Sequence, residues 1–355
     1  MALQGADERT GNRVYIDDKL VIDNWKIMRA FQPHATLRLT PGTHKVVVEE
    51  DSLRSPVDVG VHFGIVAQSK VVDPKVKELA AKADVVIVAA GFDANSESEG
   101  ADRTFDLPFG QDELIREVAA VNKKAIVAIT SGGNVNSTRW LDQVSGLIET
   151  WYAGQEGGTA LAEVIFGAVN PSGHLPATFE RNAEDNPAAA SYYPEADGIT
   201  VSYKEGIFVG YRGYDHNHTR PLFPFGYGLS YTTFKFANLS VTLGTAAHAV
   251  VSFDVTNTGN RAGAEVAQIY VSDSHAKVPR PEKELKGFEK VSLQPGETKH
   301  VSVSLDSHAF AYYDTQAKKW TIAPGKFNIA GGDSSDSLDL KDSVEISQQA
   351  ATSAF

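Results

Sequence analysis

From Lys75 to Phe166 short apolar runs rich in β-branched residues alternate with segments of helical period. That alternation confines the stretch to a layered α/β arrangement around a parallel sheet. Helices are expected over 75–83, 111–121 and 155–166, with a shorter one over 137–144, and strands over 85–90, 125–130 and 146–150. Val85-Val-Ile-Val-Ala-Ala90 reads as a strand buried on both faces. Leu114, Ile115, Val118 and Val121 recur at helical spacing, so a helix follows. The connection between the two, Gly91 to Gly110, is far longer than the two to six residues usual in such units, and extra length of this kind most often signals function or disorder. It leaves the carboxyl end of a strand, where open α/β sheets bind ligands. It carries Asp93, Glu97, Glu99 and Asp102, which fit a catalytic carboxylate and fit equally a solvated acidic loop.

The flanking regions read as β structure. Strands are expected over 13–17, 19–25, 36–39 and 44–49, with turns at Asp17-Asp18 and Pro41-Gly42. These are fewer strands than a sandwich needs to close two sheets. Beyond the Pro- and Gly-punctuated stretch Phe223–Tyr231, seven period-2 runs follow: 236–243, 248–256, 265–272, 285–293, 300–305, 320–322 and 326–330. They imply an immunoglobulin-like sandwich of the fibronectin type III kind, in which no chemistry is legible. The expected domains are therefore 1–66, 67–231 and 232–355. Two glycine-rich turns, Ser131-Gly-Gly-Asn134 and Ala153–Gly158, match no nucleotide-binding pattern and read first as tight turns, although their N–H groups are suited to an anion. His216-Asn-His218 has the look of a metal pair but lacks a third ligand nearby, and reads as a surface turn.

A net charge of −12 leaves no basic footprint for nucleic acid, and no Lys/Arg-rich amphipathic segment suggests a membrane surface. With no cysteine in the chain, disulfides, thiol chemistry and Cys-ligated zinc are excluded. The first ten residues are too polar for a signal peptide, so the compartment is not legible.

Ser98-Glu-Gly-Ala-Asp-Arg103, Trp151-Tyr-Ala-Gly-Gln-Glu-Gly-Gly158, Asn170-Pro-Ser-Gly-His-Leu-Pro176, Tyr203–Arg212 and Phe223–Tyr231 together resemble the C-terminal half of a glycoside hydrolase family 3 enzyme, typically a β-glucosidase. Val278–Phe288 and Ala309–Asp314 resemble its closing fibronectin-like domain, and Val14–Trp25 with Leu39–Val46 resemble part of a PA14 β-sandwich. The resemblance implies retaining hydrolysis of terminal β-D-glucosyl residues, with a β-glucoside or oligosaccharide as the partner and no metal or organic cofactor. In that chemistry two carboxyl groups about 5 to 5.5 Å apart act as nucleophile and acid/base. The resemblance makes Glu99 the acid/base, with Glu97 as runner-up and Asp102 and Arg103 as supports of the loop. The Ser-Asp-Trp setting of the family's nucleophile is not found in this sequence, which implies a nucleophile on a (β/α)8 barrel outside it and little or no hydrolysis by this chain alone. Truncated sheets would expose edges and apolar surface, so self-association is expected. β-Xylosidase or another exo-glycosidase is the alternative in sugar, and a non-catalytic carbohydrate-binding or scaffolding protein the alternative in class.

Overall fold

The computed structural model describes residues 2–5, 11–25, 33–51, 61–94, 96–97, 103–273, 275–276 and 278–354. They form two compact units, 1–159 and 160–355.

The first unit opens with β structure. Strand β1 (Ala2–Gly5) pairs antiparallel with β5 (Val61–Gly64), and β2 (Gly11–Ile16), β3 (Lys19–Asn24) and β4 (Val46–Asp51) form an antiparallel sheet in the order β3-β2-β4. Asp17 and Asp18 join β2 to β3 with φ of 49° and 63°, the left-handed pair that a two-residue hairpin demands and that Asp tolerates. Val14 and Ile22 form a small core, with Val21, Ala35 and Phe63 packed on it. The strand expected over 36–39 does not form. Leu37 and Leu39 are both largely exposed, and with no face to bury, their alternation has nothing to pair against.

Helix α1 (Pro74–Lys82) starts where Asp73 caps the Lys75 N–H at 2.9 Å, with Pro at the first turn. Then β6 (Val86–Gly91), α2 (Gln111–Val121), β7 (Ala125–Thr130) and β8 (Gly146–Glu149) build a parallel sheet in the order β6-β7-β8. Ile115, Val118 and Ala119 of α2 pack with Val88, Val127 and Ile129 of the sheet and with the fully buried Trp140. Only β7 is buried along most of its length. The expectation that β6 is buried on both faces fails at Ile87, which is 43% exposed, because Val86, Val88 and Ala90 face the core and Ile87 points to the opposite face. The short helix expected over 137–144 is a turn followed by a single 3-10 turn at Leu141–Gln143.

Helix α3 (Gly157–Ile165) leads from the first unit into the second. An irregular stretch and the short α4 (Tyr211–His216) follow, His216 stacking on Phe208 with ring centroids 3.9 Å apart. Beyond it lie β9 (Phe234–Leu243), β10 (Ala249–Asn257), β11 (Gly263–Asp273), β12 (Glu284–Leu293), β13 (Thr298–Leu305), β14 (Tyr312–Asp314), β15 (Lys319–Thr321), β16 (Gly325–Gly332), β17 (Leu340–Ile346) and a last helical turn, α5 (Gln348–Thr352). Sheets β13-β10-β9 and β12-β11-β16-β17 are antiparallel, with β14-β15 as a separate hairpin. Their inward residues, among them Phe253, Ile269, Phe310, Phe327 and Ile329, form one continuous apolar core. The expected seven strands are present, joined by β14 and β17.

Candidate active site

The long loop begins where β6 ends. Gly91 sits at φ 128°, and a Cβ there would lie 2.0 Å from the Thr130 carbonyl oxygen, so only glycine fits. The Gln111 side chain clasps the same residue, accepting from the Gly91 N–H at 2.7 Å and donating to its carbonyl at 2.9 Å. The stem then turns back: Ser96 N–H and Glu97 N–H both donate to the Asp93 carbonyl, at 2.9 and 2.8 Å, and the Ser96 hydroxyl donates to Asp93 Oδ1 at 2.8 Å. This turn delivers Glu97 to the ends of the sheet.

Glu97 is held by three donors. Arg103 Nε donates to Oε1 at 2.6 Å, the Gly132 N–H donates to Oε2 at 2.9 Å, and the Tyr152 hydroxyl also donates to Oε2. The Glu97 and Arg103 side chains are only 17% and 14% exposed. Burial pushes the Glu97 carboxyl up, but Tyr152, Gly132 and Arg103 together outweigh it and hold it below the ordinary carboxylate range. Tyr152 responds in the other direction, burial and the bond to Glu97 raising its hydroxyl to about 12. Arg103 also donates to the Asn134 and Thr104 carbonyls at 2.8 and 3.0 Å and lies over the Phe92 ring at 4.5 Å. Glu97 and Arg103 therefore bracket 98–102 with an ion pair. Glu99 and Asp102 lie outside the described residues.

The loop's second half is fastened by another polar cluster. Arg139 bridges Asp106 and Asp112, each at 2.9 Å, Asn136 Nδ2 donates to Asp106 at 2.8 Å, and the buried Trp140 Nε1–H donates to Asp112 at 2.9 Å. Burial raises the Asp112 carboxyl despite Trp140 and Arg139. Phe92, Ser96, Thr104, Leu107, Pro108 and Phe109 of the loop, together with His34, line a small hollow beside it.

Of the site residues expected from sequence, the structure brings Glu97 and Arg103 into contact at the carboxyl end of the parallel sheet. Sequence reasoning passed over three participants: Gly132, Tyr152 and Glu149. The signal for the first was present, since the Ser131–Asn134 turn was noted for its N–H groups. The anion they meet is the chain's own Glu97 carboxylate, and a Cβ on Gly132 would come within 3.0 Å of Glu97 Oε1. Tyr152 lies inside the Trp151–Gly158 motif, but nothing in its spacing links it to a residue 55 positions earlier. Glu149 ends a four-residue strand and, without coordinates, is one acidic residue among many. Among the described residues no group of His, Asp and Glu side chains is placed to hold a metal ion, and no helix is long and apolar enough to cross a membrane.

Comparison with known proteins agrees with this architecture. The profile of the glycosyl hydrolase family 3 C-terminal domain matches residues 4–231, and that of a fibronectin type III-like domain matches residues 265–335. The chain is 46% identical over 274 residues to thermostable beta-glucosidase B of Acetivibrio thermocellus, covering 76% of this chain and 36% of that protein. It is 42% identical over 270 residues to an exo-alpha-(1->6)-L-arabinopyranosidase of Bifidobacterium breve, covering 76% of this chain and 35% of the relative. A beta-glucosidase from Kluyveromyces marxianus, solved in complex with glucose, superposes with a TM-score of 0.75 at 34% identity, over 98% of this chain and 43% of that one. The chain thus spans well under half the length of these relatives. On the strength of the match over 4–231, the chain belongs to glycoside hydrolase family 3.

Proposed function

We propose that this chain is the acid/base-bearing C-terminal part of a retaining β-glucosidase that removes terminal, non-reducing β-D-glucosyl residues. Glu99 protonates the leaving glycosidic oxygen and then, as base, activates the water that hydrolyses the glycosyl intermediate. The nucleophilic Asp is supplied by a (β/α)8 barrel outside these 355 residues, a reading that accords with the chain spanning 36% of the length of the Acetivibrio relative. The observation that carries the assignment is the bracket around Glu99. Glu97 takes three donors and is held ionised, so it is poorly suited to be the group that carries a proton to an oxygen. Its pairing with Arg103 instead ties down the residues on either side of 98–102, the stretch in which the family resemblance puts the acid/base at Glu99. Asp102 supports the loop in this reading, as does Arg103. The β-rich segment 1–66 is a partial PA14-like domain on the aglycone side.

The test is hydrolysis of p-nitrophenyl β-D-glucopyranoside by this chain and by the longer polypeptide that includes the barrel. Activity confined to the longer form, reduced by about two to four orders of magnitude in Glu99→Ala and partly restored by azide, supports the reading. Activity of the short chain that survives Glu99→Ala overturns it. The similarity to the Bifidobacterium breve arabinopyranosidase makes p-nitrophenyl α-L-arabinopyranoside the second substrate to run. Leu79, Val85 and Ile87 expose 69, 47 and 43% of their surface, which favours self-association of this chain on its own, and a clean monomer in size-exclusion chromatography would refute that.

A further inference from the structure

Hydrogen-bond accounting at the ends of β7 and β8 places a proton where acidic side chains do not ordinarily keep one. Ser131 is fully buried, and its hydroxyl oxygen lies 2.7 Å from the Gly133 carbonyl oxygen and 3.1 Å from Glu149 Oε2. A hydroxyl has one proton and a carbonyl only accepts, so the Ser131 proton belongs to the shorter contact with Gly133. The contact between Ser131 Oγ and Glu149 Oε2 then sets two lone pairs against each other unless the carboxyl supplies the proton. The Trp151 N–H donates to the other carboxyl oxygen, Oε1, at 3.0 Å, and the Ser131 N–H also donates to the carboxyl, so the proton is assigned to Oε2, the oxygen that faces Ser131 Oγ. Trp151 itself sits at φ 52°, a left-handed conformation that a bulky residue adopts only when its surroundings impose it.

We propose that Glu149 is a positioning residue of the acid/base loop: a neutral carboxylic acid whose Oε2–H donates to Ser131 Oγ and thereby fixes the turn on which Glu97 and Arg103 are seated. The relay runs from Glu149 Oε2–H to Ser131 Oγ–H to the Gly133 carbonyl, closing the Ser131–Asn134 turn. That turn presents the Gly132 N–H to Glu97 and the Asn134 carbonyl to Arg103, the two anchors on either side of 98–102. Burial pushes the Glu149 carboxyl up to about 7, against the opposing pull of the Trp151 N–H, Ser131 and the Arg103 charge. The charged and titratable groups set against it are Arg103 from the loop after β6 and Tyr152 from the segment after β8. Once Glu149 ionises, Ser131 has either to turn toward the carboxylate and release Gly133, or to oppose it with a lone pair. In both cases the turn loosens and the loop loses its seat.

The inference deepens the proposed function and rests on it for its link to catalysis, but its test reads position rather than turnover. Limited proteolysis of this chain with glutamyl endopeptidase, which cuts after glutamate, follows access to the chain at Glu97, each rate divided by that of Glu149→Gln at the same pH. The glutamine donates through Nε2 to Ser131 and accepts from Trp151, a permanent copy of the protonated acid. The expected result is a rise in the normalised rate between pH 6 and pH 8, of up to about ninefold, as the ionised fraction of a group titrating near 7 goes from about a tenth to about nine tenths. Difference infrared spectra of wild type against Glu149→Gln should show the protonated carboxyl disappearing near pH 7. Ser131→Ala, which leaves the backbone intact, should raise cleavage already at pH 6 and provides the readout if the glutamine variant does not fold. A carboxylate signal at Glu149 below pH 6, or a flat normalised rate with Ser131→Ala indistinguishable from wild type, overturns the proposal. If the proteolytic step is present while Glu99→Ala leaves hydrolysis intact, the positioning role stands and the catalytic reading falls.

Discussion

The closing sandwich and the carboxyl end of the parallel sheet are held by opposite means. The closing sandwich is an apolar solid, with Phe253, Phe310 and Phe327 at 1% exposure or less and inward residues alternating strictly along β10 and β13. The carboxyl end of the parallel sheet is polar instead. There Glu97, Arg103, Tyr152, Ser131 and Glu149 are joined by hydrogen bonds at the tips of strands of six, six and four residues. Apolar burial is non-directional and stabilises whatever encloses it, whereas a polar network stabilises one arrangement only and is costly when incomplete. The sandwich therefore supplies stability through bulk burial, and the sheet end defines a geometry at some cost in stability.

The sharpest way to break that contrast is to hollow the sandwich. Phe327→Ala removes a fully buried ring that meets Phe310 edge to face at 5.3 Å, and about 3–5 kcal/mol of stability should go with it. Urea unfolding of the sandwich should register the whole loss with little dependence on pH. A loss below about 1 kcal/mol would mean that the core relaxes around the hole.

The sheet end is expected to answer to pH, and in two directions. Glu149 titrates near 7 in the fold against an ordinary value of 4.5, so the folded state holds its proton longer than the unfolded chain does. Its contribution is thus most favourable below 4.5 and is lost as pH rises to about 7, at roughly 1.4 kcal/mol per pH unit. Glu97 is held below its ordinary value, so its contribution is present above 4.5 and lost as pH falls through the lower folded value. Unfolding followed by fluorescence in a Trp320→Phe background reads the three remaining tryptophans, all in residues 1–159. Glu149→Gln should flatten the slope between pH 4.5 and 7, and Glu97→Gln should flatten the acid limb alone. The same slope in both variants would place the titrating group elsewhere.

How much of this was legible beforehand follows the same division. Period-2 alternation located every strand of the sandwich core but β17, whose run of Lys341, Asp342 and Ser343 hides the inward Val344 and Ile346. The α2 helix and β7 fall where periodicity put them, because their apolar side chains face one core. Period carried less at the margins: 36–39 alternates without a partner, and β6 has an apolar run longer than its buried face. At the site, the loop's length and acidity flagged Glu97 and Glu99 alike. What distinguishes Glu97 is contact with Gly132 and Tyr152, 35 and 55 residues away, and no local pattern encodes that. Glu149 needed its proton counted against Ser131, which only distances permit.

Between the two extremes lies the Asp112 cluster, in which Asp112 and Trp140 are buried while Arg139 and Asp106 reach solvent. Trp140→Phe keeps an aromatic ring in the core but leaves a small cavity and removes one donor from Asp112 Oδ1, leaving Arg139 as its partner on the other oxygen. About 1–3 kcal/mol should be lost, and the Asp112 carboxyl should move further above its ordinary range. An NMR titration of Asp112 beside the unfolding curve separates the two effects. A stability loss without a shift would assign the cost to packing.

The smallest effect sets the floor against which the others are judged. Lys82 and Glu78 form an i, i+4 pair on α1 at 2.6 Å, with both side chains more than 60% exposed. Water already solvates both charges there, so holding the pair gains little over leaving the side chains free. Lys82→Ala should lower stability by no more than about 0.5 kcal/mol, and less in high salt. Set beside the Glu97–Arg103 pair, whose side chains are 17% and 14% exposed, this is a difference of surroundings at the same 2.6 Å separation. If Arg103→Ala proved as mild as Lys82→Ala, the bracket around 98–102 would be a surface contact, and the geometry proposed for the acid/base loop would lose its anchor.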